Sequence, residues 1–229
     1  MKASSKRSNN LQGTVTCPGD KSISQRSVII GSLLDEDIQI SGFLFAEDPL
    51  STISALRNLG HKIEIDNGMV LVKNSRKHIL ERKVFCDLGN SGTGFRLISG
   101  LIAGQEINAE LTGDDSLCKR PMNRIINPLN EMGAEIESNK GCAPLIFNKG
   151  QLVKEFLYEM PIASAQLKSC LLLAAISSNM KLTLYENKVS RDHTERMLKY
   201  FGANITSEKN GASQEIILET NNKLIAKDY

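Results

Sequence analysis

The chain has 229 residues, 28 Lys and Arg against 26 Asp and Glu, and a formal net charge of +2. It is long enough for one large or two small domains, and too evenly charged to carry a nucleic-acid footprint. Five separated cysteines (Cys17, Cys86, Cys118, Cys142, Cys170) predict reduced structural thiols, three scattered histidines make no metal site, and the longest apolar run, Cys170 to Ile176, cannot span a bilayer. With no signal-peptide core at the N-terminus, these features predict a soluble cytoplasmic protein with neither nucleic acid nor membrane as partner.

Residues 1–12 form a polar tail predicted to lie outside the fold. A strand is expected from Gly13 up to the turn Pro18-Gly19-Asp20. Lys21-Ser22-Ile23-Ser24-Gln25-Arg26 then opens a helix over Ser22 to Leu34, because the apolar run Val28 to Leu34 follows. Free N–H groups and the positive dipole end at such a start favour an anion. An ordinary Ser cap with solvated charges fits this segment equally well. Asp48 before Pro49 predicts a helix cap followed by a first-turn proline, and Asn67-Gly68 predicts a hairpin.

Next comes Gly89-Asn90-Ser91-Gly92-Thr93-Gly94-Phe95-Arg96, whose glycines permit close approach to the backbone, before a helix over Thr93 to Ala103. It is no Walker loop, since the Gly-Lys-Ser/Thr ending is missing, and a tight turn explains it too. Thr112-Gly113-Asp114-Asp115-Ser116 and Lys119-Arg120-Pro121-Met122 lead into a helix opened by Pro121 and ended at Gly133. Asp114 and Asp115 resemble a carboxylate pair, but neighbours on a strand end point apart, so they are expected to fix the loop carrying Arg120. Ala163-Ser164-Ala165-Gln166-Leu167-Lys168-Ser169 opens a helix over Ser164 to Ser177. Ser190-Arg191-Asp192-His193-Thr194-Glu195 precedes the last helix, with Asp192 and Glu195 spaced as a capping box and His193 read first as a surface or cap residue. Lys168 and Arg96 read as solvated or ion-paired helix residues.

A repeat organises these elements. Leu56 to Ile63, Leu129 to Ile136 and Leu198 to Ile205 share a helix end, a glycine (Gly60, Gly133, Gly202) and a strand start, and Asn210-Gly211 repeats the hairpin signal. Units of strand, helix, strand, helix and hairpin are expected at about 13–80, 83–150 and 152–220, all within one domain over 13–229. The helices after Thr93 and Ser164 are apolar nearly all round and need burial on all sides. The predicted fold is therefore α/β (α+β), with helices inside, sheets outside and pseudo-threefold symmetry. Several helix starts carrying Ser, Lys or Arg then point to one convergent anion site.

Three motifs, Pro18 to Ser24, Leu111 to Met122 and Ser190 to Glu195, resemble the enolpyruvyl transferases, in the branch of the 3-phosphoshikimate 1-carboxyvinyltransferases. The resemblance covers about Gly13 to Gly202. It implies domains of three βαβαββ repeats, and transfer of the enolpyruvyl group of phosphoenolpyruvate to the 5-hydroxyl of shikimate 3-phosphate. Phosphate is released, with no cofactor and no metal. By motif, Lys21 would contact both substrates and be the one strong acid–base candidate, while Ser22 and Arg26 hold the shikimate carboxylate. Asn90, Ser91 and Gly92 would wall the phosphoenolpyruvate pocket, with Arg120 pairing that anion. Ser164 and Arg191 would bind the 3-phosphate, helped by the Ala165 backbone and the Ser190 hydroxyl, and Gln166 would sit between the substrates.

Two departures stand out. Gln25 replaces the histidine usual in the family's Ser-Ile-Ser-His-Arg, and Gly92 is the residue type that leaves room for the inhibitor glyphosate. The family is also much longer: its second domain supplies acidic catalytic groups and further Lys, Arg and His ligands, and its first residues pair into that domain, which would leave Met1 to about Thr16 unsupported here. The expectation is an N-terminal half that is inactive alone, with the second domain as a partner chain. The alternative is a non-catalytic domain binding shikimate phosphate or another anion. A nucleotide-sugar transferase or a cyclase with related repeats fits the Ser-Ala-Gln and Ser-Arg-Asp-His motifs less well.

Overall fold

The structure is a computed structural model that describes residues 3–7, 9–10, 12–73 and 83–229. The first unit contains α1 (Lys21–Gly31), β1 (Ile38–Ile40), α2 (Glu47–Asn58), β2 (Lys62–Asp66) and β3 (Met69–Lys73). The second contains β4 (Val84–Asp87), α3 (Gly92–Gly104), β5 (Ala109–Thr112), α4 (Asp115–Cys118), α5 (Asn123–Glu131), β6 (Glu135–Asn139) and β7 (Cys142–Asn148). The third contains β8 (Glu155–Met160), α6 (Ala165–Ser178), β9 (Lys181–Glu186), α7 (His193–Tyr200), β10 (Ile205–Asn210) and β11 (Ser213–Leu218).

The repeat has a local cause. Gly60, Gly133 and Gly202 follow α2, α5 and α7 with φ of +91°, +102° and +88°, a region L side chains avoid, so each helix stops there and the chain turns into a strand. The sheets then repeat as well. Their orders are β1-β3-β2, β4-β5-β7-β6 and β8-β9-β11-β10, with β4 parallel to β5, β8 parallel to β9, and the remaining pairs antiparallel. Along β7 and β11 burial alternates residue by residue, turning Ala143, Leu145 and Phe147, and Gln214, Ile216 and Leu218, inward.

The first sheet lacks the leading strand expected from Gly13. Residues 12–18 are exposed and belong to no strand. The edge of β1 that such a strand needs is already taken, because Tyr229 N–H donates to Gln39 O (2.9 Å) and Ser41 N–H donates to Tyr229 O (2.8 Å). That spacing is a parallel bridge, equivalent to β4 beside β5. The Tyr229 ring also packs edge-on to Tyr200 at 5.6 Å, anchoring the segment. Two expected caps differ too. Asp48 lies inside the first turn of α2 rather than before it, and Asp192 precedes α7 without a side-chain cap bond. Asp48 itself, and Glu195 of the second expected pair, have other partners, described below. Pro121 stands two residues ahead of α5.

Helices α3 and α6 form the interior. Every residue of α3 except Thr93 is buried. The two helices touch backbone to backbone: a Cβ on Gly100 would lie 2.1 Å from Cys170 O, and one on Gly104 would lie 2.3 Å from Ala174 O. Gly-x-x-x-Gly spacing puts both glycines on one helix face, so α6 settles into α3. The packing locks together the N-termini of two helices from different units.

Beyond the end of α2, buried His61 has its pKa pushed by desolvation down to about 4. A depressed folded-state value contributes stability that is fully present above the unfolded value near 6.5 and is lost as pH falls through 4. Chemical denaturation should therefore show His61→Gln losing less stability than the parent between pH 7 and pH 4, by about 3 kcal/mol. Equal losses in the two proteins would remove His61 as the cause.

Candidate functional site

At the start of α1, Asp20 accepts from Ile23 N–H (2.8 Å) and leaves Lys21 to pair with Asp48 Oδ2 at 2.8 Å, with the lysine half exposed. Gln25 is fully buried. Its Nε2 donates to Ser91 Oγ (2.6 Å) and Thr52 Oγ1 (2.9 Å) and lies 3.2 Å from Asp48 O. Where the resembled family has an imidazole, an amide here ties α1 to α2 and to Ser91, the cap of α3 that accepts from Gly94 N–H (3.1 Å).

Arg26 turns inward. Its Nε donates to Thr194 Oγ1 (2.8 Å), Nη2 to Ser169 Oγ (2.8 Å) and Nη1 to Ser22 O (3.0 Å). Burial lowers its pKa to about 10, against the favourable charge of Glu195, and Arg191 adds repulsion. The group stays protonated at neutral pH and clamps α1 to α6 and α7.

The glycine-rich loop is organised by Arg120. Its Nη2 donates to Asn90 Oδ1 and, at 3.3 Å, to Ser116 Oγ, while Asn90 Nδ2 donates to Asp114 Oδ2 (2.7 Å). Asp114 also caps the short α4 by accepting from Leu117 N–H (2.7 Å). Its pKa is held below the usual carboxylate value by the Asn90 hydrogen bond first. Asp114 thus fixes the Arg120 loop, but from a helix start rather than a strand end, while Asp115 is the first residue of that helix.

Gly92 faces two guanidinium groups. A Cβ there would lie 2.8 Å from Arg120 Nη1 and 3.1 Å from Arg96 Nη1. Arg96 donates to Gly92 O and to Gln166 Oε1, both at 3.0 Å, and Gln166 Nε2 donates to Thr93 Oγ1 (3.0 Å). Ser164 caps α6 by accepting from Leu167 N–H (3.3 Å), and Arg124 Nη1 approaches the same oxygen at 3.3 Å. Ala165 begins α6, its carbonyl accepting from Ser169 Oγ (2.6 Å).

Under these groups lies a buried ion cluster. Lys168 Nζ is 2.7 Å from Glu186 Oε2 and 2.6 Å from Glu195 Oε1, with no lysine surface exposed. Glu186 also accepts from Ser190 Oγ (2.6 Å). Desolvation raises the Glu195 pKa, and Lys168 opposes that rise. Glu195 is therefore drawn to Lys168 instead of closing a capping box with Asp192. His193 begins α7 half-buried, with its pKa lowered by burial and then by Arg26. Arg191 is exposed.

The structure gathers the predicted residues into two groups. Asn90, Ser91, Gly92, Arg120, Ser164, Ala165 and Gln166 meet where α3, α5 and α6 begin. Ser22 and Arg26 meet where α1, α6 and α7 come together, with Lys21 nearby on Asp48, while Ser190 is held by Glu186 ahead of α7. An open hollow of about 250 Å³, lined by Ile23, His193, Arg196, Met197, Tyr200 and Tyr229, adjoins the second group. Sequence reasoning missed Arg124 and the Glu186 and Glu195 clamp. A signal for the first existed, since a cation in a helix's first turn opposes the dipole.

A family model described as EPSP synthase (3-phosphoshikimate 1-carboxyvinyltransferase) matches residues 5–228. The chain is 48% identical over 206 residues to the 3-phosphoshikimate 1-carboxyvinyltransferase of Ruthia magnifica, covering 90% of this chain and 47% of that protein. The Thermodesulfovibrio yellowstonii protein of the same name is 48% identical over 208 residues, covering 90% and 48%. Among solved structures, an EPSP synthase from Acinetobacter baumannii superposes with a TM-score of 0.81 at 39% identity, covering 94% of this chain and 48% of that one. The chain spans about half the length of the curated relatives it matches.

Proposed function

Because the chain belongs to the EPSP synthase (3-phosphoshikimate 1-carboxyvinyltransferase) family, we propose that its residues build one wall of that enzyme's site, binding shikimate 3-phosphate and part of the phosphoenolpyruvate pocket. One observation carries the reading: Arg96, Arg120 and Arg124 crowd the starts of α3, α5 and α6, and none of them is in an ion pair among the described residues. Repelling cations beside helix N-termini are stabilised by an anion.

Bringing two multiply charged anions together costs Coulomb repulsion, which Lys and Arg offset in a partly dry cleft. Lys21 and Arg120 would hold phosphoenolpyruvate against the Asn90-Ser91-Gly92 loop. Ser22 and Arg26 would take the shikimate carboxylate, Ser164, Ala165, Ser190 and Arg191 the 3-phosphate, with Gln166 between. Held so, the 5-hydroxyl attacks C2 of phosphoenolpyruvate as an effectively intramolecular reaction. The hydroxyl proton leaves, the methylene carbon gains one and later loses it, and phosphate departs. Lys21 is the acid–base group on this wall.

The proposal treats residues 13–229 as one domain of a cytoplasmic enzyme, with the remaining groups coming from the other half of the family's length. No helix among the described residues is long and apolar enough to cross a membrane. A phosphate-release assay with both substrates should show no turnover by the 229-residue chain and turnover after adding a separately produced second half. Turnover by the chain alone contradicts the one-wall reading. Binding without turnover, even with the second half present, would favour the non-catalytic anion-binding domain.

Gly92→Ala tests the pocket. The colliding atoms are the tips of flexible arginines, so stability should stay within about 0.5 kcal/mol. In the reconstituted enzyme, glyphosate should inhibit the parent, and its half-inhibitory concentration should rise at least about tenfold in the variant, one lost contact of about 1.4 kcal/mol. Full parental activity in excess glyphosate would rule out the accommodating pocket.

A further inference from the structure

Arg124 is given no ligand contact in the reading above, and its position is electrostatically unfavourable. It is the second residue of α5, a helix with no acid in its first turn, so its charge faces the positive dipole end. It is exposed, yet its Nη1 reaches Ser164 Oγ at 3.3 Å, on the cap of α6. Arg96 lies behind it, buried and held by Gln166 Oε1 on that same helix start, with its Nε lacking a hydrogen-bond partner. Arg120 and Arg124 both lower the Arg96 pKa, after the effect of burial. Removing Arg124 would relieve this repulsion in the empty chain. A folding role does not account for it, whereas an incoming anion does.

We propose that Arg124, with Ser164 at the start of α6, is a ligand for the substrate's phosphate group and sets the preference for a phosphorylated acceptor. The proposal rests on the shikimate 3-phosphate reading. A guanidinium beside a capped helix start offers a planar fork of donors matched to phosphate oxygens. With the shikimate carboxylate taken by Ser22 and Arg26, an acceptor without the phosphate would leave this fork unused.

Calorimetric titrations of the 229-residue chain with shikimate 3-phosphate, shikimate and inorganic phosphate test this. Arg124→Gln should bind shikimate 3-phosphate about 10–100-fold more weakly, as expected for losing a charge-assisted contact. Its binding of phosphate should weaken too, its binding of shikimate should not change, and its melting temperature should not fall. Arg124→Lys should recover part of the loss. Parental affinity for shikimate 3-phosphate in Arg124→Gln overturns the role of Arg124 and leaves the site reading intact. If the parent binds phosphate in an Arg124-dependent way but not shikimate 3-phosphate, the anion locus stands and the substrate reading fails. If the parent binds neither, both fail. Equal weakening for shikimate and shikimate 3-phosphate would also overturn the proposal, because it would show a general disturbance.

Discussion

Lys168→Met should destabilise the chain by about 3–5 kcal/mol at neutral pH, the range found when one partner of a buried ion cluster is removed. Lys168 is wholly buried between Glu186 and Glu195, so methionine fills the volume but leaves two carboxylates without their cation. Without that cation, the buried Glu195 carboxylate favours a proton more strongly. The Glu195 pKa is already raised by burial, against the pull of Lys168, so the variant's value must be higher still. A group whose carboxylate pKa is raised by folding keeps its stability below the unfolded value and loses it as pH rises. The gap between variant and parent should therefore narrow as pH falls toward 4.5. Adding Glu186→Gln should recover part of the loss, because neighbouring changes in one network are not additive. A gap independent of pH would mean that lost packing, rather than stranded charge, explains the effect. Glu186 also holds Ser190 at 2.6 Å, so the cluster joins stability to the placement of a site residue.

Gly100→Ala should cost at least about 3 kcal/mol, the upper end for an overpacked core. On a free helix the same change would stabilise by nearly 1 kcal/mol, so the sign itself is diagnostic. The new Cβ would sit 2.1 Å from Cys170 O, 2.8 Å from its carbonyl carbon and 3.0 Å from its Cα. All three are backbone atoms, and only separation of α3 from α6 relieves the clash. That separation would strain the Arg96–Gln166 and Gln166–Thr93 hydrogen bonds joining the two helix starts. Affinity for shikimate 3-phosphate should fall with stability, as urea melts and calorimetry on one sample would show. A neutral or stabilising result would mean that the two helices are not in backbone contact.

These sites show what the sequence could reveal. Gly60, Gly133 and Gly202 were legible because a left-handed helix stop is a local event with one favoured residue type. The apolar circumferences of α3 and α6 were legible because burial on all sides leaves no polar face. The cap assignments at Asp48 and Asp192 failed for the opposite reason. Asp48 serves Lys21, and Glu195 serves Lys168, 27 residues away in each case, and a short-range capping pattern cannot register such competitors. The leading strand that the repeat implied at Gly13 is absent, as the resemblance implied for Met1 to about Thr16, and Tyr229 holds the edge of β1 that the strand would need. Of the site, the motif residues at the helix starts could be read, whereas the inward turn of Arg26 toward Thr194 and Ser169 depends on packing from three units.

The most direct measurement is a calorimetric comparison of shikimate 3-phosphate with shikimate on the unmodified chain. If the converging helix starts form a phosphate-selective wall, shikimate 3-phosphate binds at a single site at least about tenfold more tightly, and added salt weakens it more than it weakens shikimate. Equal affinities, or no binding of the phosphorylated compound, would contradict the account.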